Sequence, residues 1–198
     1  IFRCRKNCRH GFALASRFAL YWNPQEVAGM CSRYGIDEYT AEWLQSYFRH
    51  AERFVAGDVR PGNPAPILIG DRLAVLMTWG LPRKGGLIIN ARSETFDEKF
   101  AACRRCIVPV RHFYEWDAHK QRVTFRGAQE KILFLAGIYR HDRFAIITEP
   151  ADDLVRPVHD RMPLRIAREE MQEWLDGGRE FSPVPLVKEQ DVEELPLW

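Results

Sequence analysis

The tightest constraint on the fold is how short the apolar runs are. Ile67-Leu68-Ile69, Leu73–Trp79, Leu87-Ile88-Ile89, Cys106–Val110, Phe113–Trp116, Arg122–Phe125, Ile132–Tyr139 and Phe144–Thr148 are all strand-length. They are rich in β-branched and aromatic residues and are bounded by turn formers, which is the pattern of strands rather than helices. Gly70-Asp71 reads as the turn of a hairpin between the first two runs. Gly57–Pro66 holds two glycines and three prolines, which forbids a long element there. The last three runs predict a β-meander. Helical signals are fewer. Glu38–Phe54 repeats Tyr39, Trp43, Tyr47 and Leu44, Phe48 at four-residue spacing, with Asp37 placed as the N-cap. Thr95–Ala102 and Arg168–Leu175 read as short helices, the second ended by Gly177-Gly178. The expectation is an α+β single domain: a curled or barrel-like, mostly antiparallel sheet with a few peripheral helices.

Composition fits that frame. A chain of 198 residues that is 46% hydrophobic can bury one sizeable core, and 12 Phe with 6 Trp are too many for a disordered chain. No run of 18 apolar residues exists, so no membrane association is expected. Cys4, Cys8, Cys31, Cys103 and Cys106 make an odd set, unlike a secreted disulfide framework, and a reducing cytoplasm is expected. Cys103-x-x-Cys106 has half of a zinc pattern, with Cys4, Cys8 or His112 as the partners to complete it. Cys4 and Cys8 lie in a segment read as outside the fold, so no metal and no cofactor are expected.

The net charge is +2, yet residues 1–30 carry five basic residues (Arg3, Arg5, Lys6, Arg9, Arg17) against Glu26, so the rest is slightly acidic. Any nucleic-acid contact would therefore use a local basic groove rather than overall charge. Residues 1–29 read as upstream sequence outside the fold, with a real extension or a targeting peptide as the alternatives. Residues 30–198 form the domain.

Met30-Cys31-Ser32-Arg33-Tyr34 gives that boundary a chemical meaning. If Met30 is a translation start and is removed, Cys31 carries a thiol and a free α-amine on adjacent carbons. Such a 1,2-aminothiol condenses with an aldehyde to a thiazolidine, which neither group can do alone. Both groups have reference pKa values near 8, so each has a reactive fraction at neutral pH. Three polar strings follow: Asn90-Ala91-Arg92-Ser93-Glu94-Thr95, Phe113-Tyr114-Glu115-Trp116 and His159-Asp160-Arg161-Met162-Pro163. Taken alone, Asn90 reads as a turn or cap residue, Glu115 as an exposed strand carboxylate, His159 as a structural histidine and Cys31 as a small buried hydrophobe.

Together and in this order, these segments resemble the SOS-response-associated peptidase (SRAP) family, over roughly Met30 to Leu175. Trp79-Gly80-Leu81-Pro82 and Arg105-Cys106-Ile107-Val108-Pro109 also look like family segments. The resemblance implies covalent capture of abasic sites in single-stranded DNA through an N-terminal Cys31. It also implies possible thiol autopeptidase removal of the residues before Cys31, hence an enzyme of hydrolase or lyase class. Asn90 would orient the amine, while Glu115 and His159 would move protons. Arg33, Arg92 and Arg161 would grip phosphates. Thr148 would hydrogen-bond the opened sugar, although Thr148-Glu149-Pro150 departs from the family's usual continuation. Trp79 and Pro61 read most simply as core or loop residues, and as a wedge or stacking platform for bases beside the lesion they are carried as DNA contacts. The expected partner is single-stranded DNA with abasic sites, and the expected state a cytoplasmic monomer, nucleoid-associated when DNA is damaged. A non-covalent single-stranded nucleic-acid-binding module is the alternative function.

Overall fold

A computed structural model describes residues 31–49, 54–70 and 72–190. The expected leader, residues 1–29, lies outside the described residues. Among the described residues, fifteen strands and three short α-helices follow in order. The first half holds β1 (Arg33–Ile36), α1 (Glu38–Gln45), β2 (Gly57–Val59), β3 (Pro64–Ile69), β4 (Leu73–Trp79), β5 (Leu81–Arg83), β6 (Gly86–Ile88), β7 (Asn90–Arg92) and α2 (Phe96–Lys99). The second half holds β8 (Arg104–Val110), β9 (His112–Trp116), β10 (Arg122–Gly127), β11 (Leu133–Arg140), β12 (Arg143–Pro150), β13 (Arg161–Pro163), β14 (Arg165–Ile166), α3 (Met171–Asp176) and β15 (Leu186–Gln190).

The mixed, strand-rich architecture is the one expected. β12, β4, β3, β8 and β11 pair in sequence, and β11 pairs back to β12, so the sheet curls into a ring. A second sheet runs β15-β10-β9-β1-β2. Alternation along the ring strands explains the layering, since successive side chains point to opposite faces. Ile67, Cys106, Val108, Phe144 and Ile146 join Tyr34, Phe113 and Phe125 of the second sheet in one apolar cluster. Leu68, Ile107, Ala145 and Ile147 join Leu44 of α1 and Met171 and Trp174 of α3 in another. Both faces of the ring are thus covered.

Three expectations need correcting. The helix expected over Glu38–Phe54 begins where predicted, with the Asp37 carboxylate accepting from Thr40 N at 2.8 Å, but it ends at Gln45. Ser46 Oγ donates to Trp43 O, and the chain then peels away: Ala74 N donates to Tyr47 O, and Phe48 bridges to Ala74. Pairing with β4 outcompetes another helical turn. The helix expected over Thr95–Ala102 is one turn, Phe96–Lys99. The expected meander is divided, because β10 pairs with β9 and β15 while β11 pairs with β8, β12 and β14.

One break in the ring positions the site. β4 meets β12 only at Thr78 and Trp79. Gly80, at φ 116°, turns the chain out of the sheet in a conformation other residues adopt at a cost. The β5–β6 hairpin makes an excursion, and the chain returns as β7, which takes up the same edge of β12: Asn90 lies opposite Ile146 and Arg92 opposite Thr148. Asn90 is therefore held by a strand rather than by a turn.

Candidate active site

Cys31 lies just before β1 and is fully buried. Its neighbours come from two strands distant in sequence. Asn90, first residue of β7, donates from Nδ2 to Cys31 O at 3.1 Å. Glu115, in β9, is reached because β1 pairs antiparallel with β9, with Arg33 opposite Tyr114. The Glu115 carboxylate accepts the Cys31 N–H. Cys31, Asn90 and Glu115 are thus brought together as expected.

The electrostatics of this cluster are unusual. Burial pushes Glu115 up from 4.5 to about 8; the Cys31 N–H opposes that rise and the charge of Asp160 adds to it. Burial also pushes the Cys31 thiol well above its usual range, with the Glu115 charge adding to the effect. Two acceptors in the cluster, Asn90 Oδ1 and Glu115 Oε1, are buried and have no hydrogen-bond partner among the described residues. Each such atom costs about 1–3 kcal/mol if left unfilled. Both belong to side chains that already hold the backbone of Cys31.

His159 is partly buried, and its Nδ1 accepts from Arg161 N at 3.0 Å. Its neighbour Asp160 is close enough for its charge to raise Glu115. Among the described residues no group of three or more His, Cys, Asp or Glu side chains could hold a metal ion.

The six residues assigned to DNA divide. Arg92 is exposed at the end of β7. Arg33 pairs with Asp58 at 2.5 Å and lies 5.4 Å over the Tyr114 ring, so it is engaged but reachable. The other four do not stand at the surface. Trp79 is fully buried, packs tilted against Tyr34 and parallel to Phe144, and donates from Nε1 to Ile89 O; it pins the return of the chain into β7 and has no face to offer a base. Pro61 is buried beside the turn in which Gly62 N donates to Trp79 O. Thr148 is fully buried, with Oγ1 directed at Ala91 O. Arg161, 7% exposed, spends its two terminal nitrogens on Glu94, at 2.5 and 2.9 Å, and on Thr148 O at 2.6 Å. It is a buried clamp rather than a free phosphate grip.

Glu94, the partner of Arg161, is a neighbour of the site that the sequence reading does not single out, though it sits in the same string as Asn90. The available signal was an acid and an arginine in the two most specific strings, a pair that buried arginine requires. Arg161 hydrogen bonds hold Glu94 down at about 2. Asp58, which ties Arg33 and also accepts from Tyr114 OH at 3.0 Å, left no such signal.

A model of the SOS response associated peptidase (SRAP) family matches residues 16–196. The chain belongs to this family. It is 28% identical over 191 residues to the abasic site processing protein YoaM of Bacillus subtilis, covering 82% of this chain and 79% of that protein. It is 26% identical, over the same length, to the abasic site processing protein YoqW of Bacillus subtilis, covering 82% of this chain and 80% of that one. A crystal structure of a protein from Bordetella bronchiseptica superposes with a TM-score of 0.68 at 24% identity, covering 81% of this chain and 99% of that one. One from Bacteroides thetaiotaomicron superposes with a TM-score of 0.65 at 19% identity, covering 82% of this chain and 93% of that one. These two solved folds agree with the strand-rich ring described above.

Proposed function

We propose that this SRAP protein captures abasic sites in single-stranded DNA through a free α-amine and thiol at Cys31. The observation that carries the reading is the pair of unfilled buried acceptors around the Cys31 backbone. A peptide N–H brings one hydrogen to that place. An α-ammonium brings three and a positive charge, which would fill Asn90 Oδ1 and Glu115 Oε1 and neutralise a carboxylate otherwise kept protonated by burial. The abasic-site names of YoaM and YoqW point to the same substrate.

The chemistry follows from these groups. The ammonium passes a proton to the Glu115 carboxylate, and the free amine adds to the aldehyde carbon of the ring-opened sugar. A carbinolamine forms, Glu115 returns its proton to the departing hydroxyl, and water leaves to give the imine. The Cys31 sulfur then bonds to the imine carbon while its proton goes to nitrogen, closing the thiazolidine. His159, through its outer nitrogen, moves the proton at the sugar oxygen that opens the ring. Arg92 and Arg33 contact the flanking phosphates. In a longer chain the same thiol and acid act on the bond between Met30 and Cys31, an autopeptidase step that frees the amine.

The test uses a chain beginning at Cys31 and an abasic single-stranded oligonucleotide on a denaturing gel. A stable adduct is expected. Cys31→Ser keeps the amine and should give an adduct only after borohydride trapping. A stable adduct from Cys31→Ser without borohydride would sink the thiazolidine assignment, and DNA binding with no adduct from the unsubstituted chain would leave the non-covalent module as the function.

A further inference from the structure

We infer that Glu94 is a positioning residue for His159: by clamping Arg161 it fixes which nitrogen of the His159 ring carries the proton. The inference rests on the role of His159 just proposed, but its first measurement does not depend on that role. β13 is only three residues long. Ala151 N donates to Asp160 O and Leu164 N to Ile147 O, so the two pairs that contain a proline, Thr148 with Pro163 and Pro150 with Arg161, are the non-hydrogen-bonded ones, and the Arg161 N–H is turned away from β12. Side chains add a second tie. Arg161 reaches back to Thr148 O at 2.6 Å, and Glu94 holds the same guanidinium through two hydrogen bonds. A planar guanidinium held by both carboxylate oxygens leaves little freedom at its base.

The base of that side chain is the Arg161 backbone N–H, which donates to His159 Nδ1 at 3.0 Å. A ring nitrogen that accepts a hydrogen bond carries no proton, so the neutral ring has its proton on Nε2. Asp160 Oδ1 competes for Nδ1 from 3.1 Å, but as an acceptor it requires a proton there. Asp160 is exposed, whereas the Arg161 N–H is held by the clamp. The clamp therefore decides the contest. Loosen it, and the ring satisfies Asp160 by moving its proton to Nδ1, which turns Nε2 from a donor into an acceptor. The acid needed at the sugar oxygen is then lost without any change in His159 itself.

The test is nitrogen-15 NMR of the imidazole ring in the chain beginning at Cys31, as wild type, Glu94→Ala and Glu94→Gln. The wild type should be the Nε2–H form. Glu94→Ala should raise the Nδ1–H form to a comparable population, with Glu94→Gln between them and serving if the alanine variant fails to fold. Crosslinking by Glu94→Ala should fall about tenfold to a hundredfold, short of the full contribution of a general acid, with affinity for undamaged single strands within about twofold. An Nδ1–H wild type, or an Nε2–H form unmoved in both variants, overturns the inference. Tighter DNA binding by Glu94→Ala with an unmoved tautomer would also overturn it, marking Glu94 as a stand-in for a phosphate on Arg161. A tautomer that shifts in a protein that never crosslinks would uphold the positioning and reject the capture reading instead.

Discussion

Glu94 and Glu115 are carried on neighbouring parts of one site, and their environments drive them in opposite directions. Glu94 has its counter-ion: Arg161 holds it down at about 2, although its side chain is nearly half exposed. Glu115 is deeply buried with no cation beside it among the described residues, and sits at about 8. Burial of a lone carboxylate disfavours the charged form, while a bidentate arginine favours it. The Arg161 clamp thus holds its charge balance within the described fold. The Cys31 cluster does not, and the missing positive charge falls where an α-ammonium at Cys31 would stand.

The largest expected effect separates the two carboxylates by rate. Glu115→Gln keeps the shape but removes the proton acceptor, and crosslinking should slow by about 10²–10⁴-fold with binding to undamaged strands nearly unchanged. Equal loss in binding and crosslinking would instead place Glu115 among the structural residues. Next in size is Trp79→Ala. A fully buried Trp costs about 3–5 kcal/mol on truncation. The loss should appear as a lower denaturant midpoint, and whatever protein remains folded should crosslink. A stable Trp79→Ala with weakened DNA affinity would return this residue to the DNA surface.

The third prediction concerns pH. In the 198-residue chain, folded Glu115 keeps its proton up to about 8, whereas unfolded it ionises near 4.5. The folded state binds more protons between those values, so stability falls as pH rises through that window, by at most about 1.4 kcal/mol per pH unit. Urea melts of Glu115→Gln should lack this slope. In a chain beginning at Cys31 the neighbouring ammonium should flatten it as well. A slope that persists in Glu115→Gln would assign it to another group. The smallest effect is expected from Arg92→Ala, an exposed phosphate contact: affinity for single strands should drop a few-fold and the salt slope by about 1. An unchanged slope would remove Arg92 from the interface.

Much of the architecture was legible in the sequence because strands are written locally, as short apolar runs between turn residues. Strand partners are not written locally, which is why the sequence predicts β10 in a meander with β11 and α1 beyond Gln45. The site was legible by residue type. Cys31, Asn90 and Glu115 come together as their motifs suggest. Depth was not legible: Arg161, Thr148, Trp79 and Pro61 carry groups suited to DNA, and only the tertiary fold shows them turned inward. Glu94 was hidden for the same reason, since its value depends on an arginine 67 positions away.

The central claim is that the site is completed by a free amine at Cys31. An amide nitrogen is not nucleophilic, because its lone pair is delocalised into the peptide bond, and no neighbouring side chain restores it. The most direct measurement is a denaturing gel with abasic single-stranded DNA, comparing a chain that begins at Cys31 with the 198-residue chain shown by mass to be uncleaved. The account predicts a stable adduct from the first and none from the second, with no added cofactor. Equal crosslinking rates for the two would contradict it.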